Sequence, residues 1–189
     1  VKAVAALIIQ PQAQNLVRLF FLQERMKALG KGEKHELHHI HVIGAGAMGG
    51  DIAAWCVLQG LTVTLQDQAI EVVAAAIKRA ASLYTKKLRT PRAIQEAMDR
   101  LIPDMDGVGI GQADIVIEAI VENLEIKQGL YQTVEPQMKE GAILATNTSG
   151  IPIDELATKL EKPERLVGIH FFNPVAKMKL VEIVAGQWT

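Results

Sequence analysis

Three glycines at fixed spacing, in the run Gly44-Ala45-Gly46-Ala47-Met48-Gly49, constrain this chain more than any other feature. Such a run carries information only between a strand and a helix. Here the apolar run Ile40–Ile43 precedes it, and Met48 to Gln59 reads as an amphipathic helix stopped by Gly60. A second apolar run, Leu61–Leu65, then leads to Asp67. Strand, turn, helix and strand in that order are what a dinucleotide-binding unit requires. Gly44 permits the tight turn, Gly46 leaves room for a pyrophosphate to approach the backbone, and Gly49 permits close packing of the helix. The helix start then presents free N–H groups and the positive end of its dipole to phosphates. The alternative is an ordinary strand–helix turn.

Asp67 stands 23 residues after Gly44. A carboxylate at the end of the second strand can accept hydrogen bonds from both adenosine ribose hydroxyls and repels a 2′-phosphate. The next residue is Gln68, not arginine, so no adjacent cation compensates for such a phosphate. The expected cofactor is therefore NAD rather than NADP; a turn-forming aspartate is the other reading.

With 189 residues the chain is long enough for one sizeable core, or for a domain with an extension. Its net charge of −1 gives no ground for broad electrostatic binding to nucleic acid or to a membrane surface. Cys56 is the single cysteine, so no internal disulfide forms, and its place on the first helix reads as packing in a reducing compartment.

The apolar start Val1–Ile9 is too short to span a bilayer. After Gln10-Pro11, apolar residues 16, 19, 20, 22, 26 and 29 fit one broad helix face, with Gly30 as a C-cap. Lys31 to His38 reads as a polar linker, which places the dinucleotide domain at 39–189 and a linker with its helix at 1–38. Four of the five histidines, His35, His38, His39 and His41, crowd together. Without cysteines or a helical His-x₃-His spacing, linker and strand entry explain them better than a metal site, and no metal is expected.

Strand and helix signals then alternate. Helices are expected over 68–87, from Thr90-Pro91 to Leu101, over 124–139 and over 153–160; strands over 113–120, 142–146, 166–171 and 179–184. Residues 78, 79, 86, 87 and 89 form a basic cluster. This alternation implies an α/β fold: a doubly wound, mainly parallel Rossmann-type sheet. Functional residues of such sheets lie just past strand carboxyl ends. Glu118 and Glu122, then Asn147-Thr148-Ser149, then His170 occupy those places. Glu182 follows His170 by twelve residues.

The runs Ile117-Glu118-Ala119-Ile120-Val121-Glu122-Asn123, Asn147-Thr148-Ser149, His170-Phe171-Phe172-Asn173-Pro174 and Met178-Lys179-Leu180-Val181-Glu182 together resemble the 3-hydroxyacyl-CoA dehydrogenase family from about His39 to Gly186. The helix around Leu19-Phe20-Phe21-Leu22 resembles the segment joining hydratase and dehydrogenase parts in multifunctional fatty-acid oxidation proteins. The resemblance implies that His170 is the general base for the substrate 3-hydroxyl, that Glu182 orients it, and that Ser149 sits near the 3-oxygen. It also implies that Met48, Asp67, Val121, Glu122, Lys127, Ser149 and Asn173 line the NAD site beside Gly44, Gly46 and Gly49. A base of near-neutral character steadied by a carboxylate suits alcohol oxidation.

The implied substrate is 3-hydroxyacyl-CoA, and the implied partner of the parent is a thiolase subunit. The implied location is the bacterial cytoplasm, or a mitochondrion or peroxisome in a eukaryote. The family places a helical domain after the final strand, which binds acyl-CoA and supplies a catalytic asparagine. Because the chain stops at Thr189, that domain is expected to be absent, the isolated fragment to bind NAD but turn over slowly, and an uncovered apolar surface to favour self-association. Two alternatives stay open: a nucleotide-sensing module on the same fold, and a dehydrogenase for short hydroxy acids.

Overall fold

The computed structural model describes residues 7, 10–29, 37–178 and 180–189. The run Val1–Ile9 apart from Leu7, the C-cap at Gly30, most of the linker including His35, and Lys179 at the start of the last expected strand lie outside the described residues. The chain forms two compact units, Val1–Glu36 and Leu37–Thr189.

In the first unit, helix α1 spans Pro11–Leu29. It starts earlier than the apolar stripe suggests, because Pro11 suits the first helical turn, where its missing N–H has no intrahelical partner. Leu16, Leu19, Phe20, Leu22 and Met26 are exposed, and so are Val17 and Phe21 beyond the expected face. The Phe20 and Phe21 rings meet edge to face at 5.6 Å.

The second unit is a seven-stranded sheet flanked by helices. In chain order it runs β1 (His39–Ile43), α2 (Ala47–Leu58), β2 (Thr62–Gln66), α3 (Ile70–Lys87), α4 (Pro91–Asp99), β3 (Leu101–Pro103) and β4 (Ile115–Glu118). It continues with α5 (Leu124–Val134), β5 (Ile143–Thr146), α6 (Ile153–Ala157), β6 (Leu166–Phe171) and β7 (Val181–Ala185). The spatial order is β3-β2-β1-β4-β5-β6-β7. The first six strands are parallel; β7 pairs antiparallel with β6. This is the doubly wound Rossmann order, with its switch point between β1 and β4.

Helices on both faces explain why the central strands are apolar without alternation. Val42, Val63, Leu65 and Val116 are fully buried. Burying each such side chain contributes roughly 1.5–3 kcal/mol.

Several boundaries differ from the expectations, each for a local reason. Helix α4 ends at Asp99 instead of Leu101, and Leu101–Pro103 forms an edge strand on β2 that the sequence did not announce. Three residues are too short for a periodic signal, and Pro103 is tolerated because the strand is at the edge. Helix α5 ends at Val134, and Glu135–Gln137 continues as a 3₁₀ turn. Pro136 cannot continue the α-helical hydrogen bonding. Strand β4 stops at Glu118 because Ala119 N–H turns to the Ile43 carbonyl (2.8 Å) and Ile120 N–H to the Glu118 side chain (2.7 Å). Helix α6 is shorter than expected and ends at Ala157.

Candidate functional site

A cleft of about 1220 Å³ opens over the carboxyl ends of the parallel strands. Gly44, Gly46 and His170 all line it. Gly44 has φ +99°, and an added Cβ would lie 2.6 Å from the Ala119 carbonyl oxygen, so the turn needs glycine twice over. At Gly49 an added Cβ would stand 1.8 Å from the Gly44 oxygen. Its role is to let α2 press on its own glycine turn. Gly46 differs. Its φ is −57°, and an added Cβ would meet nothing within 4 Å. Neither strain nor packing requires glycine there, so the bare backbone faces open cleft.

Helix α2 begins at this turn with no side-chain cap and no acidic residue in its first turn. Its leading N–H groups are therefore available to an anion. Arg79 of α3 braces the turn from the side, donating to the Gly46 carbonyl at 2.8 Å. The sequence showed Arg79 only as one member of a basic cluster, because nothing local reveals a contact spanning 33 residues.

The Asp67 carboxylate accepts the Ala45 N–H at 2.7 Å and the Ala69 N–H at 3.2 Å. It thus ties the end of β2 to the glycine turn. A carboxylate offers about four acceptor sites, so two remain for a ligand in the cleft that it lines. Met48 and Val121 also lie on the cleft wall.

Further along, Ser149, His170 and Asn173 line the same cleft. Antiparallel register sets His170 directly opposite Glu182. Their side chains meet with Nδ1 2.9 Å from Oε2. The Glu182 carboxylate can only accept, so Nδ1 carries the proton and Nε2 of the neutral ring is a free base. Phe172 packs against the imidazole at a centroid distance of 4.5 Å. A second cavity of about 230 Å³ is shared by Ser149, His170 and Glu182. Asn147 accepts the Phe171 N–H through its side chain at 2.9 Å, which locks the β5 loop to β6 beside the histidine.

Gly49, Glu122 and Lys127 do not line the large cleft. Glu122 caps the next loop: its Oε1 accepts from Thr148 Oγ1 (2.5 Å), Ser149 N–H (3.0 Å) and Gly150 N–H (3.1 Å). Burial by itself raises its pKa, but these hydrogen bonds and the Lys127 charge outweigh that and lower it. Lys127 is fully buried and pairs with Glu118 at 2.6 Å. Glu118, read from the sequence only as one polar residue after a strand, proves to be the buried centre of this region.

His39 Nε2 and His41 Nδ1 each meet the Thr64 hydroxyl, at 2.9 Å and 2.8 Å, and His41 Nε2 meets Gln66 at 3.0 Å. Among the described residues no group of three His, Cys, Asp or Glu side chains is placed to hold a metal ion. Cys56 is buried, and that burial pushes its thiol up to about 12. Among the described residues no helix is long and apolar enough to cross a membrane.

The turn, the uncapped helix start, the open backbone at Gly46 and Asp67 together fit a dinucleotide, and comparison with known proteins agrees. Residues 39–189 match the family model for the NAD-binding domain of 3-hydroxyacyl-CoA dehydrogenase. Fatty acid oxidation complex subunit alpha of Psychrobacter sp. (strain PRwf-1) is 42% identical over 184 residues, covering 94% of this chain and 26% of that protein. The subunit from Pseudomonas entomophila (strain L48) is 38% identical over 182 residues, covering 93% and 26%. The chain therefore spans about a quarter of the length of these curated relatives. Among solved structures, 3-hydroxybutyryl-CoA dehydrogenase from Escherichia coli K12 superposes with TM-score 0.77 at 36% identity, covering 82% of this chain and 34% of that one. The (S)-3-hydroxybutyryl-CoA dehydrogenase of Ralstonia eutropha gives 0.77 at 34% identity, covering 82% and 56%. The chain belongs to the 3-hydroxyacyl-CoA dehydrogenase family, and residues 39–189 are its NAD-binding domain.

Proposed function

We propose that this domain is the cofactor half of an enzyme that oxidises (3S)-3-hydroxyacyl-CoA to 3-oxoacyl-CoA in fatty-acid β-oxidation. One observation carries the reading: His170, paired with Glu182 at 2.9 Å, lines the same cleft as the glycine turn and Asp67. A base and a dinucleotide site sharing one cleft suit oxidation of an alcohol.

NAD supplies the hydride acceptor for the substrate's C3 hydrogen. His170 Nε2 removes the hydroxyl proton as the C3–O bond becomes a carbonyl, leaving an imidazolium. Glu182 holds the ring with Nδ1 protonated and stabilises that imidazolium. Ser149 donates a hydrogen bond to the 3-oxygen. With NAD bound, Asp67 would accept the adenosine ribose hydroxyls, and Gly44, Gly46 and the start of α2 would hold the pyrophosphate. Met48, Val121 and Asn173 would pack along the cofactor, and Gly49, Glu122 and Lys127 would complete its site.

The parent polypeptide, of the length of the curated relatives, carries a multifunctional fatty-acid oxidation activity with residues 1–38 as the joining segment. Its partner is a thiolase subunit and its location the bacterial cytoplasm. The relatives' name, fatty acid oxidation complex subunit alpha, supports the membership of a fatty-acid oxidation complex; the thiolase partner, the location and the joining segment rest on the family resemblance. The test is turnover of 3-hydroxybutyryl-CoA by the full-length parent. His170→Ala lowers kcat by about 10²–10⁴-fold while the NADH dissociation constant stays within twofold. Wild-type turnover by that variant removes His170 from the mechanism.

A further inference from the structure

The glycine turn has a support outside its own three glycines. Arg79, on α3, reaches across to it: its Nη2 lies 2.8 Å from the Gly46 carbonyl oxygen and 3.5 Å from that of Ala45. Its Nε donates to the Asp51 carboxylate of α2 at 3.4 Å. Gly50, one residue beyond Gly49, is a point where the two helices meet. An added Cβ there would stand 2.7 Å from Arg79 Nη2 and 2.8 Å from the Ala76 Cβ. Ala76 precedes Arg79 by three residues, so both lie on one face of α3. The bare position 50 thus leaves room for the helix and the guanidinium together.

Stability alone does not account for this arrangement. The Arg79 and Asp51 side chains are 44% and 38% exposed, and an ion pair in that setting contributes little. The Gly46 carbonyl already has a partner, since it accepts the Gly50 N–H at 3.0 Å. What the second donor adds is direction. A trans peptide is planar, so the Gly46 C=O and the Ala47 N–H point opposite ways. When the carbonyl is held by two donors, the N–H across the bond is held as well. Ala47 is the first residue of α2, where an N–H has no intrahelical acceptor. Gly46 and Ala47 line the large cleft, and Arg79 does not.

We propose that Arg79 is a positioning residue for the phosphate-binding turn: held by Asp51 and admitted by Gly50, it fixes the Gly46–Ala47 peptide plane and so aims the Ala47 N–H into the cleft. It acts through the turn, without touching the ligand. A guanidinium suits this task, because its donors are set in one rigid fork. The value of that N–H to a pyrophosphate rests on the dinucleotide reading above; the fixing of the plane does not.

The test uses Arg79→Met and Asp51→Ala variants of this chain, first without cofactor. The Ala47 amide signal in nitrogen-15 NMR spectra reads the peptide plane. Arg79→Met, which keeps the apolar stem and loses the donors, displaces that signal. Asp51→Ala loosens the guanidinium and displaces it less, in the same direction; it carries the test if the Arg79 variant does not fold. An unchanged Ala47 signal in a folded Arg79→Met chain overturns the proposal.

Binding titrations then separate positioning from charge. Arg79→Met weakens NADH binding about fivefold, the loss expected for one net hydrogen bond. Adenosine, which has no phosphate, binds within about twofold of wild type. Unchanged NADH affinity, or an equal loss for adenosine, overturns the proposal. At Asp51 the two accounts predict opposite signs. If Arg79 merely attracted phosphate, removing a nearby carboxylate would tighten NADH binding; as the anchor of a positioning residue, its loss weakens binding about twofold. A tighter Asp51→Ala variant overturns the proposal, and so does an Arg79→Met loss that vanishes in about 0.5 M salt, where charges are screened. A wild-type chain that binds no NADH defeats the dinucleotide reading, while the cofactor-free spectra still decide whether Arg79 fixes the plane.

Discussion

Replacing Gly46 with alanine separates the fold from the ligand. Its φ of −57° is ordinary for any residue, and an added Cβ has no neighbour within 4 Å. The cost to the fold is limited to exchanging glycine for alanine at a helix N-cap, about 0.5–1 kcal/mol. For a chain of this size that lowers Tm by about 1–4 °C. The cost to binding is larger if a pyrophosphate lies against this backbone, because the methyl occupies the space where an oxygen meets an N–H. Overpacking of that kind costs about 1–3 kcal/mol, which weakens binding roughly 5- to 150-fold. Calorimetric titration with NADH and a thermal melt on the same sample measure both. Gly49→Ala is the contrast: its Cβ would stand 1.8 Å from the Gly44 oxygen, so it should unfold the turn at a cost of about 3 kcal/mol. A Gly46→Ala chain with wild-type Tm and NADH affinity within twofold of wild type would refute the placement of the phosphates.

Asp67→Ala removes the ribose acceptor and the tie to Ala45, and should narrow a preference for NADH over NADPH that exceeds about tenfold in the wild type; competition titration measures the ratio, and a wild-type ratio in the variant contradicts the role. Burial lowers the pKa of both His39 and His41, outweighing the nearby Asp104 and, for His39, Asp114. Their folded values lie below the unfolded 6.5, so the unfolded chain binds more protons in that interval. Stability is therefore complete above pH 6.5 and falls as pH drops through 6.5 towards the folded values, by up to about 1.4 kcal/mol per pH unit per histidine. Urea midpoints at pH 7.5 and 5.5 should differ accordingly, and His41→Gln should reduce the difference; equal midpoints in the wild type exclude this linkage.

Much of the cofactor end was legible in the sequence because its determinants are local. The glycine spacing, the flanking apolar runs and Asp67 fall within 28 residues, Ile40 to Asp67. Backbone conformation and the ends of strands depend on neighbours of that kind. The parallel architecture was equally legible, since unbroken apolar strands alternating with helices admit few other arrangements. The pairing of His170 with Glu182 could be read only through family resemblance. The structure supplies its cause: an antiparallel last strand whose register sets the two residues face to face.

Tertiary structure alone decided what lies behind the cleft. No spacing rule joins Glu118 to Thr146, Arg79 to Gly46 or Glu122 to Gly150, because each bond links different elements across 28 to 33 residues. Such contacts exist only once the sheet has brought the strand ends together, and burial then makes the cost of leaving a charge or an N–H unpaired large enough to select its partner. The sequence by itself therefore determined the sheet, the glycine turn and the class of ligand. Packing determined which carboxylates face the ligand and which hold the loops that do.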